Sequence, residues 1–137
     1  MYRFAIVASE YNSVIMDRLI AGATRALKDQ KQVRVIRVPG SFEIPLAAKH
    51  AALSKKYDAI VALGCVVRGE TSHFEYISSS VSQALQLVAL ETGLPVGFGV
   101  LTVDTVQQAI ERSGESGNKG AEAALTALAM INVLHEI

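Results

Sequence analysis

Four short apolar runs alternate with longer segments of helical periodicity, and this alternation constrains the fold more than any other feature. The runs cover residues 3–9, 33–38, 59–67 and 96–101 and are typical of buried strands. Between them, apolar residues recur at helical spacing across residues 15–27, 44–55 and 74–88. Strands that alternate with helices imply a parallel sheet with right-handed crossovers. We therefore predict an α/β fold, and the length of 137 residues predicts a single domain over residues 1–137.

Local turn signals place the remaining boundaries. Gly93 followed by Pro95 is typical of a helix end before a new strand. Asp104 with Gln107 resembles a capping box, which predicts a short helix that ends near Arg112. The glycine- and serine-rich residues 113–118 are expected to form a loop, and residues 119–134 a final alanine-rich helix.

Composition excludes several classes of protein. Thirteen basic residues balance 13 acidic ones, so no overall positive charge favours nucleic acid or an anionic membrane surface. No apolar stretch approaches the roughly 18 residues of a membrane span.

The single cysteine and the lack of a signal-peptide pattern at the amino terminus predict a cytoplasmic protein. The apolar half of the composition suggests burial against other subunits. No histidine or cysteine pair has metal-ligand spacing, so we predict no metal site.

Residues 68–76 form the most informative motif, because they join the third predicted strand to a helix and contain a lone histidine. Ser72 and Glu75 fit a capping box, which places His73 in the first helical turn. Unpaired N–H groups and the helix dipole favour anions there. The dipole also favours a neutral imidazole, which can transfer protons at pH 7. This corner is the first candidate for chemistry.

The carboxyl ends of parallel strands meet at one edge of a sheet, where ligands bind. We expect the side chains that follow the predicted strands to converge there. They are Tyr11 and Asn12 after the first strand, Phe42 and Glu43 after the second, and His73 after the third, with the Arg112 guanidinium nearby if the short helix folds back. Each has a structural alternative: Tyr11 as a loop aromatic, Asn12 as a helix cap, Glu43 as a solvated carboxylate, Arg112 as a partner of a helix dipole. His73 alone fits either a surface residue or a catalyst. Cys65 ends a buried strand, which favours an inert thiol over a nucleophile.

Several motifs together resemble one enzyme family, the 6,7-dimethyl-8-ribityllumazine synthases. The likeness runs in order from about Phe4 to Leu134 and is carried by residues 38–45 (VPGSFEIP), 62–76 (ALGCVVRGETSHFEY), 98–102 (FGVLT), 108–112 (QAIER) and 117–120 (GNKG). It implies a three-layer, flavodoxin-like sandwich with a four-stranded parallel sheet of order 2-1-3-4. It also implies condensation of 5-amino-6-ribitylamino-uracil with 3,4-dihydroxy-2-butanone 4-phosphate, the penultimate step of riboflavin biosynthesis, without a metal or organic cofactor.

The resemblance also implies a role for each site residue. His73 matches the proton-transfer residue, and Glu70, Thr71 and Arg112 match the phosphate site. The pyrimidine and ribityl substrate is matched by Tyr11, Asn12, Ser41, Phe42, Glu43, Cys65, Val66, Val67, Phe98 and Lys119. Phe98 and Lys119 are expected near a subunit boundary, because the family forms pentamers, alone or stacked into decamers or sixty-subunit shells.

Three departures from the family pattern stand out. Glu10 replaces an arginine that many members carry, the loop before Lys119 is one residue shorter, and the chain starts at the first core strand, which favours the smaller assemblies. Two other functions are left open. An archaeal-type riboflavin synthase would join two lumazines, and a catalytically silent protein would bind a flavin or lumazine, or form a shell. The phosphate-binding pattern favours the lumazine synthase over both.

Overall fold

The sheet confirms the predicted fold class. The computed structural model describes residues 1–69 and 73–137. Within them, β1 (Arg3–Ser9), β2 (Gln32–Val38), β3 (Ala59–Val67) and β4 (Val96–Val103) form a four-stranded sheet. All three neighbouring pairs are parallel, and the strand order is β2-β1-β3-β4. The carboxyl ends of all four strands therefore lie at the same edge.

Helices cover both faces of this sheet and complete the three layers. They are α1 (Ser13–Ala26), α2 (Ile44–Leu53), α3 (His73–Thr92), α4 (Val106–Glu111) and α5 (Lys119–Glu136). A 3₁₀ turn, Ser41–Glu43, precedes α2. The core on one face joins the sheet to α1, α4 and α5, whereas the core on the other face joins it to α2 and α3. Among these described helices, none combines the length and the apolar character needed to cross a membrane.

Most predicted boundaries agree with the structure to within a few residues, but one cap was wrong. The capping box predicted at Asp104 and Gln107 lies one residue later, at Thr105 and Gln108. The shift arises because β4 continues to Val103 through its pairing with Val67, which delays the helix start. The capping box predicted at Ser72 lies outside the described residues. Gly93 has φ +75°, and its N–H donates to Ala89 O at 2.9 Å, as expected of a helix end.

Helix α5 approaches α1 and β4 so closely that small residues are required between them. A Cβ added at Gly120 would lie 2.8 Å from the carbonyl carbon of Leu19 on α1, which belongs to the backbone and cannot move aside cheaply. Asn118 caps α5 by accepting a hydrogen bond from Ala121 N, and its amide donates to Arg18 O and Ser113 O. The start of α5 is therefore fixed by backbone contact and by a buried amide.

We predict that Gly120→Ala destabilises the protein even though alanine is the better helix former. The clash with the Leu19 backbone should outweigh the propensity gain and cost about 1–3 kcal/mol of unfolding free energy. Urea unfolding at equal protomer concentration measures this. Gly114→Ala is the matched control, because a Cβ there lies 3.6 Å from its nearest neighbour and should change stability by less than about 0.5 kcal/mol. Equal stabilities of the two variants would contradict the packing argument.

Candidate active site

A cleft of about 760 Å³ opens at the carboxyl edge of the sheet. It brings together the loop after β1, the segment between β2 and α2, the end of β3 and the first turns of α3. Eight of the predicted site residues line it: Tyr11, Ser41, Phe42, Glu43, Cys65, Val66, Val67 and His73. The convergence of strand ends expected from the sequence is therefore present on the α2 and α3 side of the sheet.

The loop after β1 presents an aromatic face to the cleft. Tyr11 is 71% exposed and lines the cleft, so its ring is accessible to a ligand. The next residue, Asn12, has left-handed backbone angles of φ 62° and ψ 55°, a conformation that asparagine tolerates well. Its side-chain amide donates to Cys65 O at 3.2 Å. Asn12 thus ties the loop to the end of β3 and fixes the position of Tyr11.

The segment between β2 and α2 supplies a second aromatic ring and a carboxylate. Phe42 is 59% exposed and Glu43 is exposed, whereas Ser41 is buried. The Ser41 hydroxyl lies over Gly64 of β3, where an added Cβ would come within 2.8 Å of the Ser41 Oγ. A side chain at position 64 would therefore push this turn outward. Gly64 allows the turn to lie directly on the sheet.

The end of β3 forms the floor of the cleft. The Cys65 side chain is 2% exposed and packs in the core beneath α1 and α5, so its backbone is the part nearest the cleft. Burial raises the pKa of the Cys65 thiol to about 11, which keeps it protonated at neutral pH. This agrees with the inert thiol favoured by the sequence. Val66 packs on the opposite face and is partly exposed to the cleft, as is Val67.

Helix α3 forms one wall. His73 is its first described residue, is exposed and lines the cleft. Three further residues of the same wall, Phe74, Tyr76 and Ile77, were missed as site residues from the sequence. A signal was available, because positions three and four residues after a helical site residue lie on the same side of the helix.

Three predicted site residues lie elsewhere in the same chain. Phe98 pairs with Ala62 in the sheet, four residues before Val66, which is roughly 13 Å along the strand. Phe98 is 49% exposed and lines a separate, smaller depression together with residues of α3. Arg112 caps α4 and donates to Gln108 O, while Lys119 forms an ion pair with Glu122 at 3.2 Å. These two belong to the α4 and α5 region, on the opposite face from the cleft.

The backbones of Arg112 and Lys119 are joined by a hydrogen bond. Lys119 N donates to Arg112 O at 2.8 Å across the loop of residues 113–118. The two basic residues therefore lie close together in the fold. The other two residues predicted for the phosphate site, Glu70 and Thr71, lie outside the described part of the chain.

Charge near the cleft is limited. Glu10, which replaces an arginine in the family pattern, is exposed and is absent from the described residues that line the cleft. Across residues 1–69 and 73–137, no cluster of three or more histidine, cysteine, aspartate or glutamate residues has the arrangement of a metal site. Glu43 is the acidic side chain among the described residues that line the cleft.

Comparison with known protein families gives a match over nearly the whole chain. The family model described as 6,7-dimethyl-8-ribityllumazine synthase matches residues 1–135. The match includes every strand and helix that forms the cleft, as well as the loop that joins Arg112 to Lys119. The chain therefore belongs to the 6,7-dimethyl-8-ribityllumazine synthase family, transferase-class condensing enzymes of riboflavin biosynthesis.

Proposed function

We propose that the cleft binds 5-amino-6-ribitylamino-uracil and that a second copy of the chain completes the site for 3,4-dihydroxy-2-butanone 4-phosphate. The exposed rings of Tyr11 and Phe42 support the first part. A flat heterocycle is well suited to stack on such rings. The polar groups of Ser41 and Glu43, on the same segment, are suited to the hydroxyls of the ribityl chain.

The observation that carries the second part is the lack of an unpaired cationic side chain in the described lining of the cleft. The Arg68 guanidinium lies 4.7 Å from the ring centroid of Phe74 in the cleft wall, but it is already paired with Asp104 and Glu75. The described lining of the cleft contains no lysine or arginine, although it contains the Glu43 carboxylate. A cationic side chain stabilises a bound phosphate by offsetting its charge, and a guanidinium pairs especially well with phosphate oxygens. Arg112 supplies such a charge, and Lys119, assigned to the pyrimidine and ribityl substrate, lies beside it; both belong to the opposite face of their own sheet. We therefore assign them, with Phe98, to the cleft of a neighbouring protomer.

This assignment requires two different surfaces of the chain to meet. One copy contributes its cleft, and the next contributes the surface formed by Phe98, Arg112 and Lys119. Such a head-to-tail contact repeats from copy to copy, and it gives a ring when the rotation between neighbouring copies closes. We propose a pentamer-based homo-oligomer of single-domain protomers that acts in the cytoplasm, with its active sites at the subunit interfaces. Glu70 and Thr71 are assigned to the phosphate site through their position in the family motif.

The proposed chemistry proceeds by imine formation and ring closure. The arylamine of the first substrate attacks the ketone of the second to give a carbinolamine, which loses water to form an imine. Loss of phosphate gives an enol, which tautomerises to a ketone. The second amine then attacks that carbonyl, and loss of a second water closes the ring. His73 at the wall of the cleft relays protons at these steps.

We predict that His73→Ala slows turnover but does not abolish it. General acid–base help is typically worth about 10²–10⁴-fold, while the orientation of two bound substrates contributes separately and survives the substitution. We expect a fall in kcat near the lower limit of that range. Steady-state absorbance assays of lumazine formation measure it, with His50→Ala on the exposed face of α2 as the control. An unchanged kcat would remove His73 from the mechanism.

We predict that Arg112→Ala mainly raises KM for the phosphorylated substrate. A hydrogen bond to a charged group contributes about 1.5–3 kcal/mol, which corresponds to roughly a tenfold to hundredfold rise. KM for the pyrimidine substrate should change little. Arg25→Ala is the control, because Arg25 is an exposed arginine in the last turn of α1. Equal rises in both KM values would contradict a phosphate-specific role for Arg112.

Product analysis with the unmodified protein distinguishes the lumazine synthase from the riboflavin synthase alternative. Incubation with 6,7-dimethyl-8-ribityllumazine alone should give no riboflavin, whereas the two condensation substrates should give lumazine. Binding of lumazine or flavin with no product from the two substrates would favour the catalytically silent alternative.

A further inference from the structure

Arg68 connects three parts of the carboxyl edge through one side chain. It follows β3 directly, and its backbone N–H donates to Val103 O at 2.8 Å. Its Nε donates to Asp104 Oδ1 at 2.8 Å, just beyond β4, and its Nη1 donates to Glu75 Oε1 at 3.2 Å in the first turn of α3. The guanidinium also lies 4.7 Å from the ring centroid of Phe74. The family resemblance assigned no role to this arginine.

These contacts fix the start of α3 from two directions. Phe74 and Glu75 directly follow His73, so their positions determine the direction of the helical turn that carries the imidazole. Asp104 is itself anchored, because its N–H donates to Gln108 Oε1 at 2.7 Å, the oxygen that also accepts from Thr105 N in the capping box of α4. The end of β4 is therefore a fixed point against which the turn is held.

The guanidinium of Arg68 is suited to this task and poorly suited to phosphate. Its planar fork can bond two carboxylates while its face stacks on an aromatic ring, which an ammonium group cannot reproduce. Its positive charge is already matched by Asp104 and Glu75. A single exposed ion pair contributes little, but here two ion pairs and a ring contact restrain the same group.

We propose that Arg68 is a positioning residue that holds the first turn of α3, and with it His73, against the end of β4. The inference rests on the proposed catalytic role of His73. It assigns Arg68 no contact with substrate. The structural contacts instead make Arg68 act through the direction in which the imidazole is presented to the cleft.

A double-mutant cycle tests this proposal. Arg68→Gln should lower kcat by about tenfold, since a displacement of about 1 Å can cost up to about 100-fold, and should leave both KM values within about twofold. Arg68→Lys should recover only part of kcat, because it retains the charge without the fork. In a His73→Ala background, Arg68→Gln should cause no further loss of kcat, because the group that it positions is gone.

Arg3→Gln is the matched control. Arg3 also bonds a carboxylate through its fork, with Nε at 3.3 Å and Nη2 at 3.4 Å from Asp58, but it lies at the amino end of β1, far from the cleft. The kcat of Arg3→Gln should stay within about twofold of the kcat of the unmodified protein. If Arg68→Gln does not fold, Asp104→Asn provides a second variant that weakens the same contact, and it should lower kcat in the parent but not in the His73→Ala background.

The outcomes separate the two proposals. If His73→Ala lowers kcat as predicted, but Arg68→Gln lowers kcat by the same factor in both backgrounds, only the positioning role of Arg68 would be overturned. A rise in KM restricted to the phosphorylated substrate would also overturn it and would make Arg68 a phosphate ligand. An unchanged kcat in His73→Ala would overturn the role of His73 and this inference with it. No product from the unmodified protein would contradict the assigned reaction itself.

Discussion

The parallel pairing of the four strands is the constraint on which the rest of the structure depends. β1 lies between β2 and β3, so the loops that follow these three strands emerge beside one another. Hydrogen bonds continue this alignment past the strand ends, from Glu10 N to Val38 O and from Arg68 N to Val103 O. The cleft is therefore a consequence of the sheet, and side chains that are distant in sequence meet without a dedicated scaffold.

The same constraint explains how much could be predicted from the sequence. Apolar runs and helical periodicity are local signals, and they gave the element order, the strand-end loops and the convergence of Tyr11, Phe42 and Glu43. Boundaries were less accurate because a strand ends where its partner ends: β4 continues to Val103 through its pairing with β3, and this displaced the predicted cap from Asp104 to Thr105. The left-handed conformation of Asn12 and its bond to Cys65 also required the assembled sheet.

Other features depend on contacts between distant residues. The Arg68 contact with Asp104 spans 36 positions and has no local pattern to reveal it. The location of Arg112 depends on which face of the sheet α4 packs against, and Ala109 places that helix in the core with α1 and α5. The family motif predicts that Arg112 and Lys119 serve the same site as His73, whereas the structure shows that they lie away from the cleft of their own chain. Together these facts lead to a site shared between copies.

Mixing of subunits tests this sharing most directly. His73→Ala and Arg112→Ala protomers would be co-assembled in equal amounts and assayed at a low concentration of the phosphorylated substrate. At that concentration, an assembly of either variant alone is slow. If one copy supplies His73 and its neighbour Arg112, about a quarter of the sites in a randomly mixed ring should regain both residues. Shared sites should give activity well above the mean of the two single-variant assemblies. Activity equal to that mean, in assemblies shown to contain both variants, would contradict it.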